Sequence, residues 1–289
     1  MGKLGLVLEG GGMRGAYTAG CLAWMIENNI VTDYGIGISM GALHLCTYLL
    51  KDTKMLHVTS VDYMSNPNII GLRPLLREGR YVGYDYVFEE LLKKDLHYDV
   101  RPIRQQNLGM EIGLYDMGEC KTNYFNAQDL DDDLQMVKAA CVLPIAGNIQ
   151  QFNGKDYLDG GITVMIPIER ALEMGCDKNI VIVTKPEGYV RKPAGAFMRW
   201  FMKFNYPKHP KMVHDYTHRH ENYNRQMGII ADEVEKGKAV LIRPSQTIPV
   251  KRFSGDPENL QRLYELGMAD MEAKKEEIFK LIGDRKSVV

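Results

Sequence analysis

The sequence lacks three features that would fix its class at once: a long apolar run, a dominant charge and a cysteine framework. No apolar stretch approaches the roughly 18 residues of a membrane-spanning helix, so no transmembrane segment is expected. The first dozen residues lack the apolar segment of a signal peptide, and Leu6 stands where an N-myristoylation signal has serine or threonine. The 289 residues carry 36 basic against 37 acidic side chains, which gives no support to a nucleic-acid binder relying on bulk positive charge.

The cysteines are odd in number and scattered, and they form no CxxC pair. They are Cys21, Cys46, Cys120, Cys141 and Cys176. This spacing indicates neither a disulfide framework nor a zinc site, so we expect no metal. Reduced thiols predict a cytoplasmic protein. The hydrophobic share of 45% and charged share of 25% are those of an ordinary globular chain.

Short apolar runs alternate with helical patterns along the chain. The runs predict buried strands over residues 4–8, 34–38, 110–117, 180–183 and 239–242. Apolar residues at helical spacing predict helices around residues 19–26, 43–50, 168–172, 216–234 and 260–268. Strand–helix alternation indicates an α/β protein with a parallel sheet and helices on its faces. The composition changes after residue 190, so we expect a domain over 1–190 and a helical extension over 191–289 packed on its core.

A glycine-rich turn, Gly10 to Gly15, stands between the first strand and the first helix. Its glycines let the backbone turn tightly, and the helix N-terminus behind it offers N–H groups to an anion or to developing negative charge. The same residues match the G-x-G-x-x-G pattern of dinucleotide sites. The acidic residue that pattern requires would be Asp33, but it precedes the second strand, and Ser39 occupies the strand's end. An oxyanion loop is therefore the better interpretation.

The segment Gly37-Ile38-Ser39-Met40-Gly41 has the G-x-S-x-G pattern between a predicted strand and a predicted helix. This is the context of a nucleophile elbow, in which small neighbours allow a sharp turn that exposes the serine hydroxyl. The N–H of Met40 would face the oxyanion. An α/β-hydrolase triad is the alternative, but only one strand precedes the elbow, and no histidine lies in a small-residue loop. The histidines are His44, His57, His97, His209, His214, His218 and His220.

The third signal is Asp159-Gly160-Gly161, which follows a short apolar segment. Taken alone it is an ordinary Asp-Gly turn. In combination, GGGMRG at 10–15, GISMG at 37–41 and DGG at 159–161 resemble the patatin-like phospholipase family, which has these three motifs in this order. The segment from Ala140 to Pro144 is similar to that family's small-residue segment, with Cys141 where a serine is often found. The resemblance covers residues 3–185, and the remainder resembles the extension of bacterial members.

The resemblance implies a three-layer patatin-like fold, with a mostly parallel central sheet and helices on both faces. It implies a serine acyl-ester hydrolase of the phospholipase A or lysophospholipase type, with no cofactor and no catalytic histidine. Ser39 would attack the acyl carbonyl, and Asp159 would take its proton and later activate water. An acyltransferase using the same serine, or a catalytically silent lipid-binding scaffold, is the alternative. The expected oxyanion residues are Gly10, Gly11, Gly12, Met13, Arg14 and Met40, and the supporting motif residues are Gly15, Gly37, Gly41, Gly160 and Gly161.

Two features keep two interpretations each. Arg14 either supports the loop or attracts a phosphate head group, or it pairs with a surface carboxylate. The 26 residues from Tyr189 to His214 contain six basic residues, no acidic ones and several aromatics. Such a stretch either rests in a membrane interface through residues 197–211 or forms a helix packed on the core with its lysines in water. An acyl lipid is the expected substrate, with peripheral contact at the inner membrane face.

Overall fold

A central sheet organises the chain in the computed structural model, which describes residues 2–106 and 108–283. Within those ranges the sheet has eight strands. They are β1 (Lys3–Leu8), β2 (Tyr34–Ile38), β3 (Gly109–Asp116), β4 (Lys121–Asn126), β5 (Gln150–Phe152), β6 (Lys155–Asp159), β7 (Cys176–Ile182) and β8 (Ala239–Ile242). Hydrogen-bonded neighbours follow the order β5-β6-β3-β2-β1-β7-β8. β2 and β6 pair with successive halves of one edge of β3, and β4 pairs with its opposite edge.

Helices connect the strands and cover the sheet. They are α1 (Gly15–Glu27), α2 (Met40–Leu49), α3 (Thr53–His57), α4 (Leu72–Glu78), α5 (Arg101–Arg104), α6 (Gln135–Cys141), α7 (Ile168–Glu173), α8 (Ala196–Asn205), α9 (Pro210–Glu235), α10 (Pro257–Ala273) and α11 (Lys275–Ile282). Wider π-type turns occupy Val58–Asp62 and Tyr86–Asp95. None of the helices in the described ranges is both long and apolar enough to span a bilayer.

Two sets of side chains divide the core between the faces of the sheet. Along β1, Leu4, Leu6 and Leu8 point to one face, where they join the buried side chains of α1, α2, α10 and α11. Val7 points to the other face, where it joins the side chains of α7 and α9. This alternation is the period of two that a strand imposes, and burial on both faces explains its continuous apolar sequence. The result is a three-layer α/β fold, as predicted.

The sheet is mostly parallel because β3, β2, β1, β7 and β8 run in one direction. Antiparallel pairing is confined to one side, where β4 and β6 flank β3, and β5 pairs with β6. The apolar runs predicted five of the eight strands. They missed β4 and β5, whose residues are mostly polar and largely half-buried or exposed, so that no apolar periodicity marks them. They also missed β6, in which Tyr157 and Leu158 alone form a short apolar segment. All five cysteines are free thiols, as predicted.

The last third of the chain joins the fold of the first part directly. β8 extends the central sheet by pairing in parallel with β7, and α9 packs on the face opposite α10 and α11. The division into two domains near residue 190 stays a prediction. In the structure the second segment contributes a strand to the sheet of the first.

Contact between α1 and α10 is unusually close, because a glycine of each helix faces the backbone of the other. A Cβ atom at Gly20 would lie 1.9 Å from the Tyr264 carbonyl oxygen, and one at Gly267 would lie 2.2 Å from that of Tyr17. The Tyr17 hydroxyl also donates to the Asp270 carboxylate at 2.9 Å. The second segment is thereby fixed to the helix that carries the glycine-rich turn.

We expect Gly20→Ala to lower the free energy of unfolding by about 2–3 kcal/mol, since the methyl group would overlap backbone that has no room to move. Gly228→Ala in α9 is the matched control. Nothing lies within 4 Å of its Cβ position, so helix propensity should raise stability by up to about 1 kcal/mol. Urea unfolding of the two variants measures both effects. Equal effects at the two positions would show that the helices are less tightly packed than described.

Candidate active site

The ends of two strands meet over β3. β2 runs parallel to the first half of β3 and ends at Ile38, which pairs with Gly113. β6 runs antiparallel to the second half and ends at Asp159, which pairs with the next residue, Leu114. Because β2 and β6 approach from opposite directions, the residue that follows β2 lies beside the last residue of β6. That residue is Ser39, and it lines one cavity with Asp159.

Ser39 occupies a sharp turn between β2 and α2. Its backbone has φ 57° and ψ −130°, a conformation that costs a non-glycine residue about 1–3 kcal/mol. The turn closes because its neighbours are glycines: a Cβ at Gly37 would lie 2.4 Å from the Gly41 carbonyl oxygen, and one at Gly41 would lie 2.8 Å from that of Glu9. The strand–turn–helix context that a nucleophile elbow requires is therefore present around Ser39.

Asp159 is almost completely buried at the end of β6. Its Oδ1 accepts the Gly161 N–H at 2.7 Å, and its Oδ2 is buried without a hydrogen-bond partner in the described part of the chain. Burial raises the pKa of Asp159, while the Ser39 hydroxyl, the Gly161 N–H and the charges of Arg219 and Arg252 oppose that rise. The Asp159 carboxylate, which lines the same cavity as Ser39, is thus a stronger base than an exposed carboxylate.

The glycine-rich turn passes directly over Ser39. A Cβ at Gly10 would lie 2.8 Å from Ser39 Cβ. The oxyanion prediction needs correction at two residues, because their N–H groups are already bonded. Gly10 donates to the Met165 carbonyl at 3.3 Å, and Met13 donates to the Arg252 carbonyl at 3.1 Å. Neither group is free to bind an oxyanion in this conformation.

Three other backbone N–H groups near Ser39 form no hydrogen bond within the described residues. They belong to Gly11, Gly12 and Met40. Gly11 and Gly12 line the cavity that contains Ser39, and Met40 begins α2 immediately after it. These groups stand at the N-terminal ends of short helical segments, where the backbone dipoles favour negative charge.

The remaining motif residues act on the shape of the turns. A Cβ at Gly15 would lie 2.6 Å from the Met40 side chain, and one at Gly160 would lie 2.5 Å from the Gly113 carbonyl oxygen. Arg14 does not line this cavity itself. Its Nε is buried without a hydrogen-bond partner in the described ranges, and Glu9 is the carboxylate whose charge acts on it. Of the two interpretations of Arg14, pairing with a surface carboxylate therefore has no ion pair to support it within those ranges.

An apolar cleft leads away from Ser39 on the side of α2. Its empty volume, including the part open to solvent, is about 560 Å³. Four residues line both this cleft and the polar cavity that holds Asp159: Gly12, Ser39, Leu143 and Arg252. The other side chains of the cleft include Leu43, Met64, Val82, Phe88 and Cys141. The arrangement places the Ser39 hydroxyl at the junction of an apolar and a polar compartment.

The histidines stand apart from this junction, since none of the seven lines either compartment. His44 is nearest in sequence, one turn along α2 from the elbow. It is fully buried, its Nε2 shares a hydrogen bond of 2.9 Å with Ser60 Oγ, and burial lowers its pKa to about 3. The His44 side chain therefore stays neutral at pH 7, and its Nε2 is bonded to Ser60.

Comparison with known proteins identifies the family of the region that contains this site. A family model described as patatin-like phospholipase matches residues 6–172, which include Ser39, Asp159 and the glycine-rich turn. The chain belongs to the patatin-like phospholipase family. A second model, described as a domain of unknown function (DUF6363), matches residues 209–283.

Individual relatives are distant. The uncharacterized protein YjjU of Escherichia coli K12 is 26% identical over 216 residues, which cover 70% of this chain and 56% of YjjU. The chain thus spans about half the length of that curated relative. The crystal structure of VipD from Legionella pneumophila aligns with a TM-score of 0.45 at 10% identity, covering 96% of this chain and 67% of that chain.

Two arginines from outside the patatin-like match complete the polar cavity, and the sequence interpretation missed both. Arg219 of α9 and Arg252, in the loop before α10, line it together with Ser39 and Asp159. The sequence predicts a helix around residues 216–234 but assigns Arg219 no role. One signal was present: Arg219 follows Tyr216 by three residues and precedes Tyr223 by four, so it lies on the apolar face of its helix. Arg252 has no comparable signal.

We expect Asp159→Asn to stabilise the protein at neutral pH. Because the pKa of Asp159 is raised on folding, the ionised carboxylate lowers stability above that pKa, and the loss disappears below the ordinary aspartate pKa of about 4. The variant should therefore unfold at a free energy higher by on the order of 1 kcal/mol at pH 7, with the gain shrinking as the pH falls.

Denaturant unfolding between pH 3 and pH 8 measures this gain. Asp156→Asn, at an exposed position on the same strand, is the control and should show no such trend. A gain for Asp159→Asn that is constant over the pH range would mean that the carboxylate is not the cause.

Proposed function

We propose that this protein is a serine acyl-ester hydrolase acting on lipid esters, of the phospholipase A or lysophospholipase type. One observation carries the proposal: Ser39 stands in a strained elbow where an apolar cleft meets a polar cavity, and Asp159, whose Oδ2 has no hydrogen-bond partner among the described residues, lines the same polar cavity. Membership of the patatin-like family supports the same chemistry. The apolar cleft would hold the acyl chain, and the polar cavity would hold the alcohol side of the ester.

In the proposed reaction Ser39 Oγ attacks the acyl carbonyl carbon while its proton passes to Asp159. The N–H groups of Gly11, Gly12 and Met40 stabilise the oxyanion, a contribution of about 3–4 kcal/mol for a donor in such sites. The proton then moves from Asp159 to the leaving alcohol as the ester bond breaks. Water attacks the resulting acyl-enzyme, Asp159 takes a proton from it, and Ser39 is regenerated with release of the fatty acid.

Burial allows the Asp159 carboxylate to act as the general base in place of an imidazole. An exposed aspartate with a pKa near 4 is a weak base at neutral pH. Loss of solvent around Asp159 raises its pKa, which brings the carboxylate closer to the range in which general bases work. The cationic side chains of Arg219 and Arg252 keep it ionised enough to accept a proton.

Ser39→Ala should abolish both ester hydrolysis and labelling by a fluorophosphonate, since it removes the hydroxyl at the junction of the two compartments. Asp159→Asn should lower kcat by about a hundredfold or more, because the amide cannot accept the proton. Ser65→Ala and Asp156→Asn are matched controls at exposed positions and should keep full activity. Mass spectrometry of the labelled protein and a lipid-panel hydrolysis assay measure these effects.

Stoichiometric labelling of Ser39→Ala, or full activity of Asp159→Asn, would contradict the proposed pair. A folded single histidine variant with no activity would point instead to a triad. Product analysis with an added acceptor alcohol distinguishes hydrolysis from transfer by the same serine.

We also propose that the mouth of the cleft rests on a membrane surface. Helix α8 presents three stacked aromatic side chains to solvent: Phe197, Trp200 and Phe204 are 71%, 59% and 72% exposed. The Tyr206 hydroxyl, just after α8, accepts the Ile145 N–H at 2.8 Å, which fixes the helix end near the site. On the other side, helix α4 follows cleft residues and exposes Leu72, Leu75 and Leu76.

Exposed aromatic and aliphatic side chains of this kind are typical of interfacial contacts, and Arg199 and Lys203 on α8 add attraction to anionic lipid of about 1 kcal/mol each. The triple change Phe197→Ser, Trp200→Ser, Phe204→Ser should weaken binding to anionic vesicles at least tenfold and slow hydrolysis of vesicle lipid. Hydrolysis of a short soluble ester should be spared. Val234→Ser, at an exposed apolar position on α9, is the control.

Sedimentation with vesicles and parallel assays on both substrates measure these effects. If vesicle binding is unchanged, or if both substrates are affected equally, α8 is only a structural helix.

A further inference from the structure

Five basic side chains gather on the polar side of the site. They come from the glycine-rich turn, the segment after β7, α9 and the loop before α10. We call them the basic cluster: Arg14, Lys185, Arg191, Arg219 and Arg252. Each of the four whose pKa is shifted feels at least one other member, and burial together with this mutual repulsion lowers the pKa of Arg14, Lys185, Arg191 and Arg219.

The cluster is not neutralised by the protein. In the described part of the chain its members form no salt bridge, and the carboxylates that act on it are Glu9 and Asp159. Glu9 already accepts the N–H and the hydroxyl of Thr184. Aromatic rings pack against part of the cluster, with the Arg219 guanidinium 4.6 Å from the centre of the Tyr216 ring. Such contacts hold cations in place but leave their charge unbalanced.

Arg219 is the clearest example of a basic side chain whose charge the protein does not neutralise. It is only 5% exposed, and its Nη1 is buried without a hydrogen-bond partner in the described ranges. It lines the cavity that contains Ser39 and Asp159. An unpaired buried guanidinium is costly unless an anion meets it, because both its charge and its N–H groups have lost water. The cavity beside Ser39 is therefore built to receive negative charge beyond that of Asp159.

We infer that the basic cluster, led by Arg219 and Arg252, binds a phosphate on the alcohol side of the substrate. The inference rests on the proposed function and names its substrate class: acyl esters of a phosphate-bearing alcohol that has no cationic head group. Guanidinium groups match phosphate oxygens with paired, charge-assisted hydrogen bonds. A choline or ethanolamine head would bring an ammonium toward five cations against only two carboxylates, Glu9 and Asp159, so the net charge repulsion would exclude it.

The decisive experiment compares two soluble substrates with the same short chains, dihexanoyl phosphatidate and dihexanoyl phosphatidylcholine. The unmodified protein should have a kcat/KM higher for phosphatidate, and Arg219→Gln and Arg252→Gln should each reduce the ratio of the two values by about tenfold to a hundredfold. Arg225→Gln is the matched control. It lies on the same helix but is half-exposed and pairs with Glu169, so the ratio should not change.

Binding is measured separately in Ser39→Ala, so that the test does not depend on turnover. Calorimetry should show binding of dihexanoyl phosphatidate, and loss of that binding when Arg219→Gln is added. If this holds while no ester is hydrolysed, the phosphate site stands and the proposed hydrolase function fails. Equal hydrolysis of both lipids, with a ratio unaffected by Arg219→Gln, would overturn the phosphate site while leaving the hydrolase intact.

Inorganic phosphate distinguishes a lipid head group from a free ion. Competition by millimolar phosphate against phosphatidate, weakened by Arg219→Gln, supports the shared site. Tight binding of inorganic phosphate without any preference for phosphatidate would overturn the substrate assignment, because the cluster would then serve a free anion.

Discussion

The pairing of β3 with two opposed strands is the constraint on which the site depends. Because β2 and β6 occupy successive halves of the same edge of β3, their ends meet at Gly113 and Leu114, and Ser39 and Asp159 become neighbours. A side chain at Gly113 would displace Ile38, since a Cβ there would lie 2.4 Å from Ile38 Cδ1. The backbone hydrogen bonds of the sheet thus set the relative position of Ser39 and Asp159, which are far apart in sequence.

Burial shifts the pKa values of the acidic and basic groups of the site in opposite directions. The loss of water that raises the pKa of Asp159 also lowers the pKa of Arg219 to about 9, because each charged form is less stable away from solvent. Their mutual attraction opposes both shifts. Asp159 and Arg219 therefore remain charged in surroundings that disfavour charge. An additional anion near Arg219 would be stabilised there, whereas an additional cation would be repelled.

The last third of the chain is part of the active-site architecture. Its strand β8 extends the sheet, α10 packs on α1 without room for a single methyl group, and the Arg252 carbonyl binds the Met13 N–H behind the oxyanion loop. Arg219 and Arg252 reach the cavity from this segment. A family model for residues 6–172 alone therefore covers Ser39 and Asp159 but leaves out the arginines that act on the charge of Asp159.

The sequence by itself determined the α/β class, the buried parallel strands and the three motifs, because apolar runs and glycine spacing are local signals. It also placed Ser39 at the end of a strand and before a helix. Only the tertiary structure decided which N–H groups near Ser39 are unbonded, since Gly10 and Met13 lose theirs to carbonyls distant in sequence. The same holds for the polar strands β4 and β5 and for Arg219, whose burial depends on packing against the sheet. Contacts between remote segments carry no periodicity, so a linear pattern cannot reveal them.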